Sequence, residues 1–556
     1  MRQTPPKTGL AIDLSALVLG GAGLLIVLIL WFDNAQGGLT GNGVFKAFQL
    51  KPWAVDPAQA KLDPSNYLYF PAYGALCRLL DALGVFAQDP RRQITILNAV
   101  CGGICLGITY LLVRAVTGQR AVALLAALFH LCCNFVLFLA IINEDIMPSY
   151  TLLYAAMAMA GVWFARPTAA RVIVVAVVFT ASWLFEWRLM FPTLPAMLLA
   201  LLVCERRKAM ALVWIALFLA AMLAVAGAVA LAWHSHDGAV GLPDLLWTGK
   251  GVGTVWGGFT WIKLWYMWDG LSGYLLGAGV AAFPNIPGWD IWRFTASFFM
   301  LAVAGVALTA LWRRRQTAET WSLLAIFGGT FVAGEIFNAY SQPQDPQMQI
   351  NVMLWLTVGW ALVLSDAAAR WGRRGLAALA GISILLLANN VWSLAPYRGV
   401  DSGWGRALDK IEQKADPART VFLLLGLDWP MIYMSLHWSY TQQGIDSLGP
   451  APQADPKFKW IGLVGETLVH PEWTTEQHVE HLRGQINRAF DLGYEVVVSR
   501  IWDWELWELE SAASMVADHE RLAALRHLLH GEYAARPLLD DPTAGPYFRL
   551  ERVAPR

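Results

Sequence analysis

Long apolar runs fill the first 395 residues, and the connections between them are alternately basic and free of lysine and arginine. The runs fall near 12–32, 94–116, 119–141, 149–165, 170–187, 190–204, 209–233, 292–312, 320–337, 350–366 and 375–394. A helix needs roughly 20 apolar residues to cross the hydrocarbon, where its backbone must satisfy its own hydrogen bonds. About eleven spans are therefore predicted. Arg166 and Arg171, then Arg206, Arg207 and Lys208, then Arg313 to Arg315, then Arg370, Arg373 and Arg374 occupy every second connection, whereas 142–148 and 338–349 hold no lysine or arginine. Short basic connections stay cytoplasmic, so the alternation fixes the sidedness of the whole array.

Two segments are decided by this alternation. The stretch 67–87 is apolar but carries Pro71, Arg78 and Asp81. Counting it as a span would place all four basic clusters outside, so it is expected to lie on the outer surface as a juxtamembrane helix. The stretch 261–283 would likewise move two later clusters outside, and its WIKLWYMWDG has the tryptophan and tyrosine of a membrane interface. It reads as a re-entrant or interfacial helix within an outer loop, 234–291. The first run has a basic head but no small-residue cleavage site after it, and is expected to be retained as a span.

Composition agrees: 57% of the residues are hydrophobic and 15% charged, too little polar surface for a soluble chain of this length. Lysine plus arginine balances aspartate plus glutamate at 41 each, which gives no reason to expect a nucleic-acid partner. The six cysteines sit in or beside apolar runs without paired metal spacing and read as small core residues. Beyond about 395 the sequence turns mixed and charged. Short apolar runs at 420–426, 459–465 and 494–500, a helix-like stretch at 475–491 and a final PYFRLERV predict a soluble α/β domain over 396–556 with a partly parallel sheet. It lacks a phosphate-binding glycine loop, and an odd number of spans puts it outside.

Ionisable residues at the outer ends of the spans are the candidate chemistry, because charge at a membrane edge is costly to keep. Asp33 follows the first run, Glu144 and Asp145 share a short connection, and Glu186 and Arg188 end the fifth run. Each has a structural alternative: a solvated helix end for Asp33, a helix N-cap for Glu144 and Asp145, and an ion pair for Glu186 with Arg188. His234, His236 and Asp237 form an HxH pattern, a weak metal signal alone. Asp345, with Gln344, Gln347 and Gln349, makes one outer loop unusually polar.

The order of these elements resembles the GT-C glycosyltransferases, in the protein O-mannosyltransferase and aminoarabinose transferase branch. The stretches that carry the resemblance are SNYLYFPAYGALCRLLDALG (65–84) and RRQITILNAVCGGICLGITYLLVRAVTGQRAVALLAALFHL (91–131), with an acidic residue ending the first helix. It covers about the first 165 residues. Ser65 and Asn66 stand where the family often has His-Pro, and Asp33-Asn34 where it often has an Asp-Glu pair.

The resemblance implies a GT-C-like membrane domain over 1–395, with an outer loop at 33–93, that takes sugar from a polyprenyl phosphate. Such a transfer needs a base for the acceptor hydroxyl and cations for the departing phosphate. Asp33 is the expected base, with Glu144 and Asp145 sharing that role, orienting the acceptor, or binding a divalent ion such as Mg or Mn. Arg188, then Arg91 and Arg92, and lysines of the first outer loop including Lys51, are expected at the phosphate. Tyr67, Tyr69, Asp345 and Gln347 are placed with the substrate. The expected partners are the donor lipid, a glycan, lipid or protein acceptor, and membrane lipids. The expected setting is a bacterial inner membrane, with the N-terminus cytoplasmic and the C-terminal domain periplasmic. A transporter, or a flippase or polymerase of lipid-linked glycans, is the rival reading. A transporter predicts internal repeats and ionisable groups at mid-membrane, whereas here no repeat is evident and the acidic residues gather at one edge.

Overall fold

A computed structural model describes residues 50, 53–54, 67–87, 90–141, 145–237, 259, 261–277, 289–313, 317–340, 346–394, 404–426, 448–452, 459–470, 472–513, 517–542 and 544–553. The chain divides into two compact units, one ending at Gly399 and the other taking up the C-terminal residues from Val400.

The first unit is a bundle of apolar helices. Among the described residues seven are long and apolar enough to cross a membrane: Arg92–Thr117, Ile146–Trp163, Trp187–Cys204, Lys208–Ser235, Ile291–Arg313, Ala318–Tyr340 and Leu354–Ser393. The pair Arg120–Cys132 and Asn134–Ile141, bent by 67°, makes an eighth when counted as one broken span. The shorter Ala169–Phe185 packs between Ile146–Trp163 and Lys208–Asp237. The two last apolar runs form one helix, Leu354–Leu394, broken at Gly372, whose φ of 57° suits a residue without a Cβ. Ten of the eleven runs therefore fall on helices; the run at 12–32 lies outside the described residues. The segment 67–87 forms the helix Tyr69–Ala82, and 261–283 yields Ile262–Leu275, each of 14 residues and too short to span.

Sequence explains the ends. Gly118, at φ 71°, donates its N–H to the Arg114 carbonyl and closes the helix before the next begins at Arg120. Thr168 and Thr317 cap their helices by accepting the N–H of Arg171 and Thr320. The bend after Cys132 is held from a distance: Asn390 donates to the carbonyls of Cys132 and Leu275 at 2.6 and 2.9 Å and accepts the N–H of Gly277 at 2.8 Å. Asn134 donates to the Gly273 carbonyl, so the inner end of Ile262–Leu275 is bound into the bend.

Contacts sort the connections of the bundle to two ends. Arg313 and Arg370 both pair with Asp366, Arg166 approaches Glu319, and Gln119 donates to Ser365. The basic connections thus gather at one end. Residues 67–69, 145–149, 182–189, 340 and 346–353 meet at the other, through the contacts given in the next subsection.

The second unit is an α/β domain with a five-stranded sheet of order β2-β1-β3-β5-β4: β1 Thr420–Leu424, β2 Trp460–Gly462, β3 Glu495–Val498, β4 Tyr533–Asp541 and β5 Gly545–Arg552. β1 pairs parallel with β2 and β3, and β5 pairs antiparallel with β3 and β4. Every β1 residue is buried, because alternate side chains enter two cores. Val421 and Leu423 join Leu482 and Ile486 of Thr475–Asp491 and Leu522 of His519–Glu532, while Phe422 and Leu424 pack with Leu408 and Ile411 of Trp404–Lys414. Helices therefore cover both faces of the sheet.

Candidate active site at one end of the bundle

The end opposite the basic connections is built on tight helix contacts. Asp145 precedes Ile146–Trp163 and is buried, without capping that helix. One turn on, Ser149 Oγ donates to the Ser182 carbonyl at 2.9 Å while Ser182 Oγ donates to the Ser149 carbonyl at 2.8 Å. Such reciprocal bonds between small side chains let two apolar helices approach closely. Ala169–Phe185 then ends at Glu186, whose extended backbone turns the chain into the short 3-10 segment Trp187–Leu189.

Arg188 is held by its neighbour. Its Nε donates to Glu186 Oε1 at 2.6 Å and its Nη2 to Oε2 at 3.1 Å, and the same Oε1 accepts the Arg188 N–H. Glu186 is 1% exposed and the Arg188 side chain 19%. This is the two-pronged ion pair that was one of the two sequence expectations for these residues. It fixes the guanidinium plane and offsets its charge, so an anion arriving here would need further cations.

The segment before Tyr69–Ala82 joins this end, since the Leu68 N–H donates to the Leu184 carbonyl at 2.8 Å. Tyr67 and Tyr69 are both buried; Tyr69 stacks on Tyr73, whose hydroxyl donates to Asn98. Arg92 lies over the Phe86 ring at 5.3 Å. On the far side of Arg188, Asn351 donates to the Leu189 carbonyl and to Thr193 Oγ1 at 3.3 and 3.4 Å, tying the segment after Pro346–Gln349 to the start of Met190–Cys204. Asn338 donates to the Met348 carbonyl, and Lys263 to that of Tyr340.

The structure thus brings Asp145, Arg188, Tyr67 and Tyr69 to one end. Asp33, Lys51, Glu144 and Asp345 lie outside the described residues. Arg91 and Gln347 fall in Pro90–Thr117 and Pro346–Gln349, with only their backbone described. Among the described residues no group of three or more His, Cys, Asp or Glu converges to hold a metal ion. His234 lies in the last turn of the helix Lys208–Asp237, and the side chains of His236 and Asp237 are outside the description.

Three buried polar features went unnoticed in the sequence. His130 joins Thr357 and Tyr150 at 3.0 and 3.1 Å inside the bundle. Asp269 and Arg293 pair at 2.5 Å, with Arg293 also 4.8 Å from the Trp265 ring. Glu335 is buried on Ala318–Tyr340. The signal for the last was present, a carboxylate inside an apolar run.

No family model and no curated protein matches the chain. Solved structures do. ArnT from Cupriavidus metallidurans bound to undecaprenyl phosphate superposes with a TM-score of 0.53, and ArnT in the apo state with 0.54. Both are 13% identical, over 96% of this chain and 98% of that one. The chain has the fold of ArnT. A match this long includes the C-terminal α/β domain as well as the bundle, so the ArnT likeness covers both units. The protein is therefore a polytopic helical membrane protein with the GT-C-like fold anticipated from residues 65–131, now over nearly its whole length.

Proposed function

We propose that this protein is a membrane glycosyltransferase that moves a sugar from a polyprenyl phosphate to an acceptor at the extracytoplasmic face. One observation carries the reading: ArnT, whose fold the chain has, was solved bound to undecaprenyl phosphate. Transfer is a single displacement. The acceptor oxygen attacks the anomeric carbon as its proton passes to Asp33, and the anomeric carbon–oxygen bond breaks with its electron pair leaving on the lipid phosphate. One displacement inverts the anomeric configuration. Glu144 and Asp145 orient the acceptor hydroxyl, and offer oxygen ligands for a divalent ion. Arg188, held in plane by Glu186, faces the phosphate together with Arg91, Arg92 and Lys51. Because Glu186 offsets the charge of Arg188, the latter contributes directed donors more than net charge. The C-terminal domain positions the acceptor, which is a glycan, lipid or protein.

The test is sugar transfer by the purified protein from a panel of polyprenyl phosphate sugars. Asp33→Asn is expected to lower turnover by about 100-fold or more, the usual worth of a general base, with donor binding retained. Undiminished activity in that variant would remove Asp33 from the role. Transport of donor across vesicles without any transfer would favour a flippase.

A further inference from the structure

Glu335 stands on the span Ala318–Tyr340 and is 9% exposed. Among the described residues neither carboxylate oxygen has a hydrogen-bond partner of good geometry, although Gln349 stands beside it. Charge at membrane depth is costly and is kept where something compensates it. The surrounding backbone is arranged to aim it. Residues Leu324–Gly328 form a π-helical turn, and the one extra residue of such a bulge rotates all that follows by about 100°.

Packing fixes its height. Gly329 abuts Ala196, and the Phe337 ring stacks on Phe191 with centroids 5.9 Å apart. Met190–Cys204 and Ala318–Tyr340 therefore run antiparallel, with Glu335 level with Thr193, between one and two turns along the axis from Arg188. The third wall is the segment after Pro346: Gly334 abuts Val352, and Asn351 bonds Leu189 and Thr193. Asn338, Gln349 and Asn351 thus line one polar patch with Glu335, and among the described residues no cation pairs with that carboxylate.

A carboxylate among amides, without a fixed cation, repels phosphate but accepts hydrogen bonds from hydroxyl groups, while the amides both donate and accept. We propose that Glu335, with Gln349, recognises the hydroxyl groups of the donor's sugar, as the counterpart of the arginines that face its phosphate. This rests on the glycosyltransferase reading and adds a specificity-determining residue to it.

The experiment uses the full-length protein in nanodiscs, with polyprenyl phosphate hexoses, intact or lacking one hydroxyl, as donors. Wild type is expected to disfavour one deoxygenated donor by at least about tenfold in kcat/KM, because a site built to bind a hydroxyl penalises its loss. Glu335→Leu should raise the KM for the intact donor about tenfold and erase that discrimination. Inhibition by sugar-free polyprenyl phosphate should stay within about twofold, a readout that a merely structural role would not spare. Glu335→Gln, of the same shape, serves if the leucine variant does not fold, and should weaken the discrimination severalfold. Unchanged donor KM and hydroxyl preference in the variants would overturn the assignment, as would an equal loss of inhibition by the sugar-free lipid. Were wild type itself to transfer no sugar, the glycosyltransferase reading would fall and this inference with it. A wild type that transfers sugar, beside variants that behave identically, sinks the Glu335 role alone.

Discussion

Arg293 and Asp269 meet at 2.5 Å with both side chains less than a tenth exposed, between Trp289–Arg313 and Ile262–Leu275. The strength of such a pair lies in what its rupture leaves behind. Removing one partner strands a charge and costs about 3–5 kcal/mol, whereas replacing both with apolar groups is often neutral. Asp269→Leu is accordingly expected to lower the thermal unfolding midpoint in detergent sharply, and the double variant with Arg293→Leu to recover most of the loss. Equal losses in single and double variants would show that the pair itself holds the two helices together. Neither residue was singled out in the sequence, because Asp269 lies in a segment read through its tryptophans and Arg293 was counted as one residue of the run 292–312. Glu335 was hidden differently, counted as one residue of the run 320–337. Arg188 and Glu186 were legible both in place and in pairing, since two residues apart at a helix end they can turn to one side. The burial of Tyr67 and Tyr69 was not legible, for it depends on the backbone bond from Leu68 to Leu184, across more than a hundred residues.

Thr475–Asp491 shows how an element's stability is tied to pH. Thr474 and Gln477 cap it reciprocally, at 3.3 and 2.8 Å. On its inner face His478 has a proton affinity pulled below the ordinary histidine value by burial and then by the Arg521 guanidinium. A depressed folded value means that the unfolded chain takes up the proton first on acidification. The stabilisation is therefore present above about pH 6.5 and is lost as pH falls through the folded value. Amide exchange in 475–491, corrected for its intrinsic rate, should quicken between pH 7 and pH 5, and His478→Leu should flatten part of that change. His530, lowered by burial and then Arg526, supplies a second share from His519–Glu532. An exchange rate indifferent to pH would refute this account. The sequence displayed this helix and four of the five strands, β1 to β3 through dense apolar runs and β5 through its aromatic pair. β4 was missed because YAARPLLDD has no dense apolar cluster and its burial alternates only weakly, whereas β5, equally charged, carries adjacent Tyr547 and Phe548 and then Leu550. The bend after Cys132 was also invisible, because no proline or glycine marks it and its cause is Asn390.

At the scale of the whole molecule, the alternation of basic connections corresponds to one end of the bundle, joined through Asp366, Glu319 and Ser365. Positive-inside bias then predicts the side. Four of the six native cysteines are buried and two partly so, so a membrane-impermeant thiol reagent should label introduced cysteines over little background. Ala170→Cys, exposed in a basic connection, should react only from the cytoplasm, and Glu520→Cys, exposed in the α/β domain, only from outside. Labelling of both from the same side would overturn the sidedness.

The bonds of Asn390 also bear on how the protein is made. The carbonyl of Cys132 is left open by the bend, and its partner lies 258 residues later in the chain. Spans enter the bilayer in order of synthesis, so the bent helix waits in lipid with an unmet acceptor until the last apolar helix arrives. Completing that bond makes the final span a keystone, and a chain cut short before residue 390 would leave the earlier helices inserted but unlocked, as a substrate for membrane quality control.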